Sequence, residues 1–357
     1  MYRKYRLLSK SGRRQIGLKS RAIIRATILV AIIILIMTFI KLPYYVTQPG
    51  MTSELESIIE VENGFKEEGS FSLTTIRFGR ANPLTYMWAK LHDFYYIHPL
   101  EEIRREEETD EEYYKRQLHL MEGSQESAIT VAYKKANKKV SYTFHGIYVD
   151  GIVKDMPAAS VLQVGDRIYK VDKKEFQTAD EFIEYVTTKK AGEELAITYE
   201  RDGEQRTGKI KMAPFKNKPE KVGIGISLLT DRKIDVEPDI TLNTEDIGGP
   251  SAGLMMSLEI YNQLTEMDIT RGYKIAGTGT INEAGEVGPI GGIAQKIVAA
   301  DNAGIDIFFA PNENNSSTSN YQEALQTGKQ IKTDMKIIPI DTFEEAVDYL
   351  LHLKEKG

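Results

Sequence analysis

One serine and one lysine, each inside a glycine-bearing motif, are the residues of this chain best suited to covalent chemistry. Ser251 lies in Gly249-Pro250-Ser251-Ala252-Gly253, and Lys296 ends Pro289-Ile290-Gly291-Gly292-Ile293-Ala294-Gln295-Lys296. A serine hydroxyl needs a base to become a good nucleophile, and a neutral lysine can be that base. The chain has no cysteine, which excludes a thiol enzyme. The pair therefore predicts a serine–lysine peptidase.

The residues around Ser251 favour a site at the start of a helix. Apolar spacing predicts a helix from Ala252 to Leu264, so Ser251 would lie where free backbone amides and the helix dipole can hold an oxyanion. Gly248 and Gly249 would let a substrate backbone approach closely. A serine in this place can also simply cap a helix, and the motif around Ser251 taken alone favours that interpretation.

Lys296 falls on the apolar face of its own predicted helix, together with Ile293, Ile297 and Ala300. Burial disfavours an ammonium and lowers the pKa of a lysine. A shift of about three units would make Lys296 a usable base, at a cost of about 4 kcal/mol. The alternative is a lysine whose ammonium reaches solvent.

Taken together, the two motifs resemble the proteolytic domain of Lon-type proteases, over residues 222–352. The resemblance implies that Ser251 is the nucleophile and Lys296 the general base. It also implies a supporting set near the dyad: Gly249, Pro250, Ala252 and Thr278, the last expected to hydrogen-bond the lysine. Glu245, Asp246 and Ile247 occupy the segment before the serine motif, where their role stays open.

The chain departs from the Lon enzymes in one respect. It contains no Gly-(x)4-Gly-Lys-Ser/Thr phosphate loop, so it lacks the sequence of their ATPase motor. Folded substrates should therefore resist, and we expect ATP-independent cleavage of peptides, unfolded segments and small membrane-tethered proteins.

Residues 140–214 resemble a PDZ domain of the bacterial protease type. The residues that carry the resemblance are Gly151-Ile152-Val153, Pro157-Ala158-Ala159 and Leu162-x-x-Gly165-Asp166-x-Ile168. The resemblance implies a groove that adds a peptide as an extra strand and holds its C-terminal carboxylate. We expect Gly146, Ile147 and Val149 in that groove, and the strand at 222–225 is the alternative. A β domain that only braces its neighbour is a further possibility.

The N-terminal region predicts a membrane anchor. Residues 1–25 carry nine basic side chains and no acidic one, and a charge-free apolar run from Ala26 to Ile40 follows. Extending the span to Val46 brings it near bilayer thickness and places Tyr44 and Tyr45 at the interface. The alternatives are a cleaved signal peptide and a buried core helix. Under the first interpretation, residues from about 47 onward face outward.

The full layout resembles the PDZ-containing Lon-like proteases of Gram-positive bacteria, of the YlbL type. We therefore expect an α+β fold, with an N-terminal transmembrane helix and a Lon-type proteolytic α/β domain that carries an inserted PDZ domain. The expected parts are a cytoplasmic tail (1–25), an anchor (26–46), an N-terminal part of the Lon-like region (47–139), a PDZ domain (140–214) and a proteolytic domain (219–353).

The expected partners are peptide or protein substrates and the cell membrane, and the Lon resemblance suggests a homo-oligomer. The net charge of −6 gives no case for nucleic-acid binding, and five scattered histidines give none for a metal or another cofactor. Two functions without catalysis remain as alternatives: a peptide-binding PDZ adaptor on a protease fold, and a structural envelope protein with a sensing PDZ domain.

Overall fold

The computed structural model describes residues 9–105, 108–216, 218–244 and 247–356. The first eight residues of the basic tail, and Glu245 and Asp246 before the serine motif, lie outside the described residues. Helices in the described part are, in chain order, α1 (Ser9–Phe39), α2 (Pro83–Ala89), α3 (Leu100–Ile103), α4 (Asp110–Lys135), α5 (Ala179–Thr187), α6 (Gly253–Leu264), α7 (Ile293–Asn302), α8 (Asn320–Ile331) and α9 (Phe343–Leu351).

Strands of the described part fall into several sheets. They are β1 (Tyr44–Glu54), β2 (Ile59–Val61), β3 (Ser70–Arg80), β4 (Tyr96–Pro99), β5 (Lys139–Ile152), β6 (Arg167–Val171), β7 (Lys174–Glu175), β8 (Glu194–Arg201), β9 (Glu204–Lys211), β10 (Ala213–Phe215), β11 (Lys218–Gly223), β12 (Ile226–Glu237), β13 (Ile240–Leu242), β14 (Lys274–Gly277), β15 (Thr280–Ile281), β16 (Val287–Gly288), β17 (Ile307–Pro311) and β18 (Lys336–Ile340).

The chain folds into two compact units. Unit 1 comprises Met1–Asn137 and Ile240–Gly357, and unit 2 comprises Lys138–Asp239. Unit 2 is therefore an insertion in the sequence of unit 1, so residues from both sides of the insertion build the fold of unit 1.

Unit 1 is built on a mixed sheet with the strand order β18-β17-β14-β3-β1-β4. Strands β18, β17, β14 and β3 are parallel neighbours, whereas β1 runs antiparallel to β3 and β4. Strand β17 is buried along its whole length, as central parallel strands usually are. Helix α7 packs against β1 and β3, and α6 packs against α4 and β3. The sheet thus brings β3, which precedes unit 2 in the sequence, together with α6 and α7, which follow unit 2.

Thr109 with Glu112 three residues later predicts a capping box, and helix α4 begins with it. The sequence also predicts a stripe on this helix that suits close packing, formed by Met121, Ser124, Ala128 and Ala132, and each of these residues is at most 4% exposed. Small residues let neighbouring elements come close, and α4 packs on α6 and on the turn that holds Ser251. Helix α8 was not predicted from the sequence, although Ser319 caps its first turn.

Unit 2 contains a sheet with the order β12-β5-β6-β8-β9, and β7 pairs with β6. The dipeptide Asp202-Gly203 predicts a hairpin turn in the sequence, and in the structure it joins β8 to β9 with both residues at positive φ. The lysine-rich sequence of residues 214–219 predicts a linker, and this prediction is wrong. Strands β10 and β11 pair there, and β12 then adds to β5.

The N-terminal segment differs from the prediction. Within the part of the chain that the structure describes, no helix has both the length and the apolar character needed to cross a membrane. The predicted anchor also ran too far. Helix α1 ends at Phe39 and β1 starts at Tyr44. Tyr45 is 3% exposed and stacks on Phe78, so it belongs to the folded unit rather than to a bilayer interface.

Candidate active site

A tight turn presents Ser251 immediately before α6. Gly249 has φ +90°, a conformation that favours glycine, and Pro250 then starts a single 3-10 turn that ends at Ala252. Helix α6 follows from Gly253. The supporting residues of the serine motif therefore shape the backbone: Gly249 and Ala252 are buried, and Pro250 and Ser251 are partly exposed.

Lys296 reaches this turn from the first helical turn of α7. Gly292, at φ +73°, precedes the helix, and the predicted inward face is confirmed, because Ile293, Lys296, Ile297 and Ala300 are at most 3% exposed. Lys296 Nζ lies 3.1 Å from Ser251 Oγ and 2.5 Å from the backbone carbonyl oxygen of Thr74. Neither of these two partners is a carboxylate: one is a hydroxyl group and the other is a backbone carbonyl.

Burial lowers the pKa of Lys296 from 10.5 to about 7. About half of the lysine side chains are then neutral at pH 7, against about one in a thousand for a free lysine. A neutral amine at 3.1 Å can accept the proton of the Ser251 hydroxyl. The arrangement can therefore generate a serine nucleophile at neutral pH without a histidine.

Thr278 has a different role from the one expected. Its side chain donates to the backbone carbonyl oxygen of Ser251 at 2.9 Å instead of contacting the lysine amine. The amide of Gly279 donates to the same oxygen, also at 2.9 Å. Thr278 is fully buried directly after β14, and it holds the backbone of Ser251. The carbonyl of Thr74 in β3 is the partner of the lysine, and the sequence could not predict it because any residue type can supply a backbone carbonyl.

Residues of α4 also reach the serine turn, which the sequence did not indicate. The backbone carbonyl of Gln117 accepts from the amide of Gly249, and the Ser124 hydroxyl donates to the carbonyl of Pro250. The stripe of small residues on α4 predicted close packing, but the sequence did not show that the serine turn would pack against it.

The residues predicted for the PDZ groove of unit 2 are wrong. Ile147 and Val149 are fully buried, and Gly146 shares their strand, β5, which already pairs with β12 on one side and β6 on the other. A strand with two neighbours cannot accept a peptide as a third. The alternative from the sequence fits better, because Gly223-Ile224-Gly225 leads into β12, the terminal strand of the sheet.

No group of three or more histidine, aspartate or glutamate side chains converges on a possible metal site within the described ranges.

Comparisons with known proteins match both parts of the chain. The profile of the Lon protease (S16) C-terminal proteolytic domain matches residues 182–353, and that of the PDZ domain matches residues 118–212. The two matches overlap, whereas the compact unit in the structure spans Lys138–Asp239. We prefer the structural boundary because it follows the strand pairing.

Similar proteins include a Lon protease of Campylobacter concisus, 32% identical over 35% of this chain and 14% of the relative. A Lon protease of Metamycoplasma arthritidis is 28% identical over 44% of this chain and 18% of the relative. The crystal structure of the PDZ domain of an SdrC-like protein from Listeria monocytogenes is 38% identical, covering 24% of this chain and 90% of that one, at a TM-score of 0.22.

The chain thus spans less than a fifth of the length of these two Lon proteases. The region that matches the profile of the proteolytic domain, residues 182–353, includes both Ser251 and Lys296. This chain therefore contains the C-terminal proteolytic domain of Lon protease, a serine peptidase domain, together with a PDZ domain.

Proposed function

We propose that the protein is a serine endopeptidase in which Ser251 is the nucleophile and Lys296 the general base. The observation that carries the proposal is the 3.1 Å approach of Lys296 Nζ to Ser251 Oγ, made by a lysine that is only 3% exposed. A lysine that only helped to keep the protein soluble would extend its ammonium group into water. Burying a lysine that has no function would only reduce the stability of the fold.

The mechanism proceeds in two halves. Ser251 Oγ attacks the carbonyl carbon of the scissile peptide as its proton moves to Lys296 Nζ. Backbone amides near the start of α6 hold the oxyanion. The carbon–nitrogen bond then breaks, and Lys296 returns the proton to the leaving amine. In the second half, Lys296 takes a proton from a water molecule as the water oxygen attacks the acyl carbon. The bond between that carbon and Ser251 Oγ then breaks, Lys296 returns the proton to Oγ, and the carboxylic acid product leaves.

The substrates we propose are peptides and unfolded segments, cleaved without ATP. The absence of a phosphate-loop motif in this chain supports that choice. Unit 2 would bind an extended segment of the substrate before cleavage.

The recruiting groove that we propose lies between β12 and α5 of unit 2. Strand β12 pairs with β5 on one side, and in the described residues it is the last strand of its sheet. Helix α5 packs beside it, and the Ala179 amide donates to Thr230 Oγ1 of β12 at 2.9 Å. An extended peptide could pair with the outer edge of β12, with its carboxylate near Gly225.

The proposed location is a separate hypothesis and rests on the sequence alone. Residues 1–25, with nine basic and no acidic side chains, would stay on the cytoplasmic side of the cell membrane. The peptidase would then face outward. Digestion of intact cells by an added protease tests this, because an inward-facing enzyme would be protected until the cells are lysed.

The catalytic proposal is tested by digesting an unfolded protein and short peptides with the full chain in the absence of ATP. We expect Ser251→Ala and Lys296→Met each to lower kcat by at least about 10³-fold. In the wild type, kcat/KM should rise as the pH increases through about 7, because Lys296 loses its proton there. Peptide binding without any Ser251-dependent cleavage would instead indicate a PDZ adaptor.

A further inference from the structure

We infer that α4 positions the nucleophile, through one backbone contact and two side-chain contacts that hold the serine turn from one side. The inference rests on the proposed function and adds positioning residues to it. Within the described residues, three hydrogen bonds join α4 to the segment around Ser251, and we call them the α4 clamp. The Gly249 amide donates to the Gln117 carbonyl at 2.8 Å, Ser124 Oγ donates to the Pro250 carbonyl at 3.0 Å, and Gln125 Nε2 donates to Thr244 Oγ1 at 2.6 Å.

The clamp is tight enough to limit movement of the turn. A Cβ atom at Gly248 would lie 2.9 Å from Cβ of Gln117, and one at Gly253 would lie 2.7 Å from Ser124 Oγ. Contacts this short leave no space for an added side chain. Helix α4 therefore touches the backbone both before and after Ser251.

Catalysis needs this restraint because the two reacting side chains come from different elements. Lys296 is fixed on α7 and by the carbonyl of Thr74, while the carbonyl of Ser251 is held by Thr278 and Gly279. Those contacts leave the residues before Ser251 to be held by α4. A displacement of about 1 Å between catalytic groups can cost about 10²-fold in rate.

Ser124 is the informative member of the clamp. It is 4% exposed within a stripe that otherwise carries Met121, Ala128 and Ala132, where alanine would fill the space equally well. A buried hydroxyl without a partner costs about 1–3 kcal/mol, so its bond to the residue directly before the nucleophile gives it a reason to be there.

The test compares Ser124→Ala with Ser257→Ala in the full chain. Ser257 is fully buried too, but its hydroxyl donates to Leu254 of its own helix, so its loss should not release the serine turn. We expect Ser124→Ala to lower kcat about 10- to 100-fold with KM within about twofold. The pH midpoint near 7 should stay, because Lys296 remains buried. Ser257→Ala should keep its kcat within about twofold.

A double-mutant cycle tests the second side-chain contact. Thr244→Val and Gln125→Met should each lower kcat, and the double variant should lose no more than either one, because both remove the same hydrogen bond. Thr244→Ser keeps the accepting hydroxyl and should retain most of the activity. Additive losses, or equal losses in Thr244→Ser and Thr244→Val, would overturn this part of the clamp.

A readout without catalysis separates the clamp from the proposed function. Amide hydrogen exchange over residues 247–253 should accelerate in Ser124→Ala and stay unchanged in Ser257→Ala. Accelerated exchange in a protein without Ser251-dependent cleavage would retain the clamp and reject the peptidase. Unchanged exchange together with an unchanged kcat would reject the clamp and leave the peptidase standing.

Discussion

At the residue scale, the chemistry proposed for this site depends on the protonation state of Lys296. Its ammonium form is disfavoured by burial, and its neutral form faces the Ser251 hydroxyl at 3.1 Å. The type and spacing of Ser251 and Lys296 were readable because nucleophile and base are side-chain properties. Their distance was not, and neither was the Thr74 carbonyl that holds the amine, since the sequence gives no sign of which backbone carbonyl will lie nearby.

The burial of Lys296 should also appear in the stability of the protein. Its folded pKa of about 7 lies below the ordinary 10.5, so the unfolded chain binds more protons between these values and stability rises with pH across that window. Below pH 7 the full free-energy cost of burying the protonated lysine remains. Lys296→Met removes it, and we expect this variant to exceed the wild type by up to about 4 kcal/mol at pH 6 and by much less at pH 10.

Urea unfolding at pH 6, 8 and 10 measures this difference. Lys329→Met, a substitution at an exposed lysine of α8, serves as the control and should change stability little at any of these pH values. A gap between Lys296→Met and the wild type that does not vary with pH would show that the lysine is not buried as a neutral amine.

At the scale of elements, α6 carries a second buried ionisable group that the mechanism does not use. Glu259 is fully buried and lies beside Glu67, the loop residue that accepts from Asn262. Burial raises the pKa of both carboxyl groups, and the proximity of Asp268 raises them further. Two carboxyl groups that close cannot both ionise cheaply, so the pair retains a proton where free glutamates have lost theirs.

This pair should make α6 and the loop before β3 sensitive to alkaline pH. Because both folded pKa values lie above the ordinary 4.5, the stability from the pair is complete below that pH and is lost as the pH rises through neutral. Glu259→Gln keeps an acceptor for Gln263 and cannot ionise. We expect it to match the wild type near pH 5 and to be more stable by about 2–3 kcal/mol at pH 8.

Thermal unfolding at both pH values measures that effect, with Glu266→Gln as the matched exposed control just after α6. The idea fails if Glu259→Gln destabilises the protein equally at pH 5 and pH 8, since the group would then be ionised and paired throughout. The sequence showed a helix here, but the pairing of Glu259 with Glu67 depends on strand β3 returning to α6 from the other side of the insertion.

At the scale of the whole molecule, the order of the two units along the chain decides which segments form unit 1. The PDZ unit interrupts unit 1, so α4 and β3 from before it and Ser251 and Lys296 from after it form one site. Within unit 2, β12 is the terminal strand of the sheet and β5 is not. The candidate groove therefore lies along β12 and not at Gly146, Ile147 and Val149.

We expect this groove to recognise a free C-terminus. In the Ser251→Ala background, a fluorescent peptide with a C-terminal carboxylate should bind about 10-fold more tightly than the same peptide with a C-terminal amide. Ile183→Asp on α5, where the side chain is 48% exposed, should weaken binding. Val164→Asp replaces another exposed apolar residue, in the turn before β6, and should not. Equal binding of acid and amide by fluorescence polarisation would exclude carboxylate recognition.

The sequence by itself determined the candidate pair, because the residue types that can serve as nucleophile and base are side-chain properties, and glycine and proline shape the turns that present Ser251 and Lys296. It also determined the local elements whose signals lie within a few residues, such as the capped α4 and the Asp202-Gly203 hairpin. Only the tertiary structure decided the 3.1 Å approach, the carbonyl of Thr74, the α4 clamp and the edge position of β12. Those features join residues far apart in the chain, and several of the partners are backbone groups or a strand edge, which carry no residue-specific signal.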